Sequence, residues 1–179
     1  MSLAVRTARS EDFDDMMRVY RSAREFMRTH GTPTQWGSSS PAPETVRSDI
    51  ENRTGYVVEE DGRICGAFAL LFGADPMYET IERGAWPNGE PYMTIHRLAS
   101  DGTARGISQA AFAFAAAHPS RFLAGQTDTT GEPVKALRID THAANLPMQA
   151  KIRAAGFAYC GIVHTTTDHT ERLAFQKEL

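Results

Sequence analysis

The spacing of apolar and polar positions changes several times along the chain, and each change marks an element. Residues 3–9, opening with Leu3-Ala4-Val5, read as a first strand. From Ser10 the period lengthens. Phe13, Met16, Met17, Tyr20, Ala23 and Met27 recur every three or four positions and predict a helix with one apolar face. Ser10 is its expected N-cap, Glu11 and Asp12 suit the positive end of the helix dipole, and Gly31 is its expected stop. Residues 32–43 are rich in Pro, Ser and Gly and read as a loop, and a short helix is expected over 43–52. Strands at 56–60 and 63–72 flank Asp61-Gly62, a strong hairpin signal. Residues 73–91 contain Asp75-Pro76, Trp86-Pro87 and Asn88-Gly89, too many turn formers for one helix. Ordered loops of that length are often functional.

The second half alternates strands with helices. Residues 92–99 read as a strand. Over 103–117 a helix places Ile107, Ala110, Ala111, Phe114 and Ala117 on one face, with Pro119 just beyond its end. Residues 120–133 are expected to form an exposed, mobile loop, and 136–141 a strand. Asn145 is the expected cap of a helix that has Pro147 in its first turn and ends near Gly156. Residues 157–164 and 171–176 complete the order as a hairpin. The order β-α-α-β-β-β-α-β-α-β-β predicts one α/β domain of mixed α+β type over residues 1–179. Its expected centre is a mixed, mostly antiparallel, twisted sheet of about 6–7 strands with helices on both faces.

Composition narrows the function. A hydrophobic fraction of 41% and a charged fraction of 23% are those of a soluble globular protein, and a chain of this length buries roughly 70% of its unfolded surface. The formal charge of −3 argues against a nucleic-acid partner, which calls for a basic face. Without a run of about 18 apolar residues or a signal-peptide pattern, a cytoplasmic location off the membrane is expected. Cys65 and Cys160 sit in apolar strand-like runs, which predicts two buried reduced thiols, with a disulfide or a nucleophile as alternatives.

The most informative stretch runs from Ile95 through His96, Arg97, Leu98, Ala99 and Ser100 to Ser108. A strand enters a glycine-containing turn and then a helix. Amides at such a helix start converge on one spot, where the dipole favours an anion and glycine allows close approach. An ordinary strand-turn-helix with a solvated Arg105 is the competing reading.

This segment and the order of elements resemble the GNAT superfamily of N-acetyltransferases. There, a loop reading Gln/Arg-x-x-Gly-x-Gly/Ala binds the pyrophosphate of acetyl-CoA. Here it reads Thr103-Ala104-Arg105-Gly106-Ile107-Ser108, with the central glycine kept and Thr103 and Ser108 as departures. One subgroup also resembles this chain at His96 to Ala99, at Arg138-Ile139-Asp140-Thr141-His142, at Asn145, Met148 and Gly156-Phe157, at Tyr159-Cys160-Gly161, at Asp75 to Tyr78, and at Gly84 to Trp86. The resemblance covers most of the chain. It implies a V-shaped gap between the strands at 92–99 and 136–141. Pantetheine would lie there against Leu98, Ala99 and Ser100, the diphosphate over Arg105 to Ser108 in the cofactor-binding loop that begins at Thr103 and Ala104, and Asn145 and Met148 beside the arm or the acyl end. Asn145 is equally a helix cap.

Acyl transfer to an amine requires loss of the amine proton, donors for the oxyanion, and stabilisation of the departing thiolate. His96 is the first candidate base, because an imidazole titrates near neutral pH. Asp140 and His142 are next. Strand alternation puts them on one face with Arg138, where the carboxylate would orient the imidazole and raise its pKa. Many members of the superfamily carry an acid tyrosine about four residues before the Gly-Phe pair. Ile152 stands there, and Tyr159 is the substitute candidate. Each of these residues also has a structural reading, as a strand histidine bonded to a neighbour or a salt link near a helix start.

Tyr78, Glu79, Glu82, Trp86 and Tyr92 combine aromatics with acids, which suits a cationic amine substrate. They serve equally to pack their segment, and Trp36 is a similar case. His164, Asp168 and His169 lie in a Thr-rich turn that supplies no convincing ligand set, so no metal is expected. The expected activity is acetyl transfer from acetyl-CoA to a primary amine on a small molecule. The alternative is a catalytically silent acyl-CoA-binding module. A homodimer would pair through the last hairpin.

Overall fold

The computed structural model describes residues 2–30, 36–119 and 133–179. Gly31, residues 32–35 of the first loop and residues 120–132 of the expected mobile loop lie outside the described residues. The elements are β1 (Leu3–Thr7), α1 (Phe13–Thr29), α2 (Pro43–Glu51), β2 (Gly55–Glu60), β3 (Arg63–Phe72), β4 (Tyr92–Ser100), α3 (Ile107–Ala117), β5 (Ala136–Thr141), α4 (Leu146–Ala154), β6 (Ala158–His164) and β7 (Glu171–Glu178), with 3₁₀ turns at Ser10–Asp12 and Pro76–Tyr78. One seven-stranded sheet runs β1-β2-β3-β4-β5-β7-β6. Among the described residues only β4 and β5 pair in parallel; the other neighbours are antiparallel.

Apolar residues cover both faces of the sheet, and strand alternation sorts them. Val57 and Ala67 join Met16, Val19 and Tyr20 of α1 and Val46 and Ile50 of α2. Tyr56, Val58 and Phe68 turn the other way and join Ile107, Ala111, Phe112 and Ala115 of α3 and Ile152 of α4. Burial on both faces explains why β3 reads as an almost unbroken apolar run.

Several boundaries differ from expectation. β1 stops at Thr7. Ser10 does not cap α1, because Asp12 draws the chain into a 3₁₀ turn by accepting the Arg9 N–H (2.7 Å) and both guanidinium nitrogens of Arg6 (2.6 and 2.9 Å). α3 begins at Ile107 rather than at position 103. Asp101 takes the Thr103 N–H (3.0 Å) and hydroxyl (2.6 Å), and Gly106 adopts φ +85°, so the chain cannot start a helix earlier.

Two features shape the middle of the sheet. β4 and β5 pair only at Tyr92–Ala136, Met93–Leu137 and Thr94–Arg138, and beyond Thr94 they part. β4 also carries a bulge: Ala67 faces Ala99 and Ala69 faces His96, so Arg97 and Leu98 share the single partner Phe68.

Candidate active site

The parted strands open a cavity of about 380 Å³. Ile95 to Leu98 of β4 form one wall, and Ile139 to Thr141 of β5 the other. Met148 of α4, Met77 of the second 3₁₀ turn, and Trp36 and Ser40 ahead of α2 line further sides. Thr165, Thr167 and Asp168 of the β6–β7 turn and Arg172 of β7 close the remainder.

The bulge is held deliberately. Arg97 is non-glycine at φ +55°, a conformation that costs a side-chain-bearing residue roughly 1–2 kcal/mol. Its guanidinium makes two bonds to the Asp49 carboxylate, at 2.9 and 2.7 Å, and that carboxylate is nearly buried on α2. This ion pair offsets the strain. A bulge leaves one residue out of the ladder, so a peptide group here lacks its regular partner on β3.

His96 points from the same stretch. Its Nε2 lies 2.6 Å from Asp75 Oδ2, and both side chains are largely buried. Burial pulls the Asp75 pKa upward, but the bond to His96 and its charge outweigh this, and the carboxyl sits below its ordinary range. An ionised Asp75 accepts from Nε2–H, and the neutral ring in that tautomer carries its lone pair on Nδ1. Tyr78, whose ring is tilted 31° from that of His96 at 6.1 Å between centroids, donates its hydroxyl to Asp140 Oδ1 at 2.7 Å. Burial raises the pKa of Asp140, opposed by the charge of His96, the Tyr78 bond and the charge of Arg172. The Arg172 Nε lies 4.0 Å from Asp140 Oδ2. The hydroxyl of Thr141 is buried in the same wall without a hydrogen-bond partner among the described residues.

The predicted anion seat lies at the start of α3. Asp101 ties it down, because beyond Thr103 it also accepts from Arg18 (2.7 Å) and Arg63 (3.2 Å). Ser100 Oγ accepts the Gly102 N–H. The first intrahelical bond runs from the Ala110 N–H to the Gly106 carbonyl at 2.9 Å, so the amides of Ile107, Ser108 and Gln109 precede the helical ladder. Arg105 is exposed beside them.

The remaining candidates are placed as follows. Leu98 and Met148 line the cavity. Ala99 packs toward α1, and Ala104 against the cluster containing α3. Asn145 caps α4 through the Met148 N–H at 3.2 Å. The expected Asp140–His142 pair does not form: β5 ends at Thr141, and His142 Nδ1 accepts the Ala144 N–H instead. Burial and the charge of Arg172 lower the His142 pKa, the reverse of the expected direction. Tyr159 is half exposed on β6, packs edge-on against Phe175, and lines no part of the cavity.

None of the four expected substrate contacts lines the cavity. Tyr78 is buried, and Trp86 Nε1–H bonds the Tyr78 carbonyl at 2.9 Å. The Tyr92 hydroxyl accepts the Asp75 N–H at 2.9 Å. Glu82 is exposed, and its backbone bridges Ile162. The segment lies so close to β6 there that a Cβ on Gly84 would stand 1.9 Å from the Cys160 carbonyl oxygen. Cys65 and Cys160 are buried free thiols outside the cavity lining, their pKa values raised by burial. Among the described residues, no cluster of His, Cys, Asp and Glu is placed to hold a metal ion, and no helix is long and apolar enough to cross a membrane.

Sequence reasoning missed Asp75 as the partner of His96, the bulge at Arg97 with its Asp49 anchor, and Arg172. The one available signal was the Asp75-Pro76 turn ahead of the binding strand.

The whole chain has structural counterparts. It is similar to a GNAT-family acetyltransferase from Streptococcus agalactiae, with TM-score 0.78 and 28% identity over 99% of this chain and 95% of that one. It is also similar to a ribosomal-protein-alanine N-acetyltransferase from Brucella melitensis, with TM-score 0.60 and 20% identity over 98% of this chain and 99% of the other. A third is a GNAT-superfamily phosphinothricin acetyltransferase from Sinorhizobium meliloti in complex with acetyl-CoA, with TM-score 0.60 and 14% identity over 100% and 89% of the two chains. The latter two likenesses concern the fold. No protein-family model and no curated protein matches the chain.

Proposed function

The chain belongs to the GNAT superfamily of N-acetyltransferases, and we propose that it moves an acetyl group from acetyl-CoA directly to a primary amine of a small molecule. One observation carries this reading: β4 and β5 part beyond Thr94 beside a bulge at Arg97, in line with the helix start at Ile107. The amides at that start and the α3 dipole suit the diphosphate of coenzyme A. Peptide groups freed by the bulge suit the pantetheine arm and the oxyanion.

In the proposed reaction the amine nitrogen attacks the thioester carbon, the C–N bond forms, and the C–S bond breaks. His96 Nδ1 takes the amine proton and returns it to the departing sulfur, while Asp75 holds the ring. Direct transfer is favoured because neither cysteine lines the cavity. Asp140 lines the cavity beside His96 and can contact the acceptor amine, whereas no step is assigned to Tyr159 or His142.

Calorimetry with acetyl-CoA and thiol release across a panel of amines test this together. Binding with amine-dependent thiol release is expected, and absence of binding would end the reading. His96→Ala should lower turnover about 10²- to 10⁴-fold while acetyl-CoA still binds. Near-normal turnover in that variant would remove His96 from the mechanism. The silent acyl-CoA-binding module draws support from Ile152, which is fully buried in the apolar cluster where an acid tyrosine would stand. Binding without thiol release, whatever the amine, would select it.

A further inference from the structure

The helix ahead of β2 acts on the cavity through one side chain. Asp49 lies on α2, outside the sheet, and its carboxylate takes two bonds from the Arg97 guanidinium: Oδ2 from Nε at 2.9 Å and Oδ1 from Nη2 at 2.7 Å. The Asp49 and Arg97 side chains are 8% and 21% exposed, so the pair is largely shielded from water. Asp49 is also held from its own side. Oδ1 accepts the Thr54 hydroxyl at 3.3 Å, and the Asp49 carbonyl accepts the Thr54 N–H at 2.8 Å. Gly55 packs so closely that a Cβ there would stand 3.3 Å from the Asp49 Cβ. The turn from α2 into β2 therefore grips Asp49 independently of Arg97.

Arg97 is where β4 bulges. It adopts φ +55° and shares the partner Phe68 with Leu98. It lines the cavity together with its neighbours His96 and Leu98. Glycine would take this φ without strain, but it would also leave the peptide free to adopt other conformations. Arginine is strained here, and two bonds from its planar guanidinium to a fixed carboxylate restrict it to one orientation. Well-packed apolar groups can replace a buried ion pair at little cost, so fold stability is a weak reason for this pair. What the pair supplies is a backbone conformation fixed from outside the cavity, beside His96.

Resting on the acetyltransferase reading, we propose that Asp49 is a positioning residue for acyl transfer: through Arg97 it holds a peptide N–H of the bulge where the thioester oxygen becomes negative. A donor stabilises an oxyanion best when it is already aimed at the developing charge. The amine nitrogen bonds the carbonyl carbon while the C=O electron pair moves onto oxygen. That pair returns as the C–S bond breaks, and sulfur leaves with the proton carried by His96. Asp49 touches none of these atoms and acts only through the conformation of residue 97.

The test is steady-state thiol release by the full chain with acetyl-CoA and the best amine of the panel, alongside acetyl-CoA calorimetry. Asp49→Asn keeps the shape and weakens both bonds. It should lower kcat about 10- to 100-fold, while the KM and Kd for acetyl-CoA change less than about threefold. Arg97→Lys keeps the charge without the two-point geometry and should fall between Asp49→Asn and the native chain. Arg97→Gly removes the anchored side chain, so adding Asp49→Asn to it should lower kcat no further. Native kcat in a folded Asp49→Asn overturns the proposal, as does a loss confined to acetyl-CoA binding. Additive losses in the double variant overturn it as well. Thermal unfolding reports whether each variant is folded; if Asp49→Asn is not, Arg97→Lys decides by the same criterion. In all these cases an active native chain leaves the acetyltransferase reading standing. Absence of thiol release from the native chain with every amine removes both.

Discussion

His96 and Asp75 are 21 residues apart in the chain and 2.6 Å apart in the fold, and that contact gives the imidazole a defined orientation. The histidine was recognisable from the sequence because it lies beside the expected pantetheine strand. Its partner was not, since a turn aspartate before proline looks the same whether or not it reaches a strand. Asp75→Asn, which keeps the shape but lets the amide present a donor, should lower kcat by about 10²-fold with a smaller change in the KM for acetyl-CoA. Asp75→Glu should recover part of the loss. Because the folded Asp75 pKa is depressed, its stabilisation is complete above the ordinary carboxylate value and disappears as pH falls through the folded value. Acid unfolding of Asp75→Asn compared with the native chain checks the sign: the difference in stability should shrink as pH falls.

At the scale of the element, the turn before α3 shows how a loop is held open. Asp101 gathers Thr103, Arg18 and Arg63 around one carboxylate, and Gly106 supplies the left-handed turn. Thr103 therefore organises the loop through Asp101 instead of reaching outward. Burial raises the Asp101 pKa, but the bonds from Thr103 and Arg18 prevail and the net shift is downward, so the loop is held firmly at neutral pH and loosens in acid. Asp101→Ala should cost about 2 kcal/mol of stability, the usual value of a bond to a charged group. It should also weaken acetyl-CoA binding by calorimetry. Gly106→Ala has room for its Cβ, whose nearest neighbour would be Leu3 Cδ1 at 3.6 Å, but is strained at φ +85°. A loss of about 1–2 kcal/mol and a weaker cofactor grip are expected.

Across the whole molecule, the segment between β3 and β4 is fastened to the sheet by a buried cation. The Arg138 guanidinium lies 3.9 Å from the Trp86 ring centroid and 3.7 Å from that of Tyr92, and its Nε–H bonds Gln176 Oε1 at 2.9 Å. Burial lowers its pKa below the usual arginine value. This stack positions Asp75 and Tyr78 against the cavity from outside the sheet. Arg138→Ala should cost about 3 kcal/mol through lost packing and ring contacts, which for a chain of this size is a Tm lower by about 6–12 °C. Thermal unfolding checks the size. A fall in turnover larger than the fall in acetyl-CoA affinity would show that the fastening matters to His96.

The sequence by itself determined the order of elements, the strand-turn-helix with Gly106, the Asn145 cap and the hairpins, because these depend on neighbours a few residues away. It also led to Tyr159 and an Asp140–His142 pair, since one-dimensional alternation does not reveal where a strand ends or which strand lies outermost. Tertiary structure alone decided the parting of β4 from β5, the bulge at Arg97, the partners of His96 and Asp140, and the placement of Arg172. Each of these joins groups far apart in the chain, and such pairings follow from how the sheet closes and twists, which no local pattern encodes.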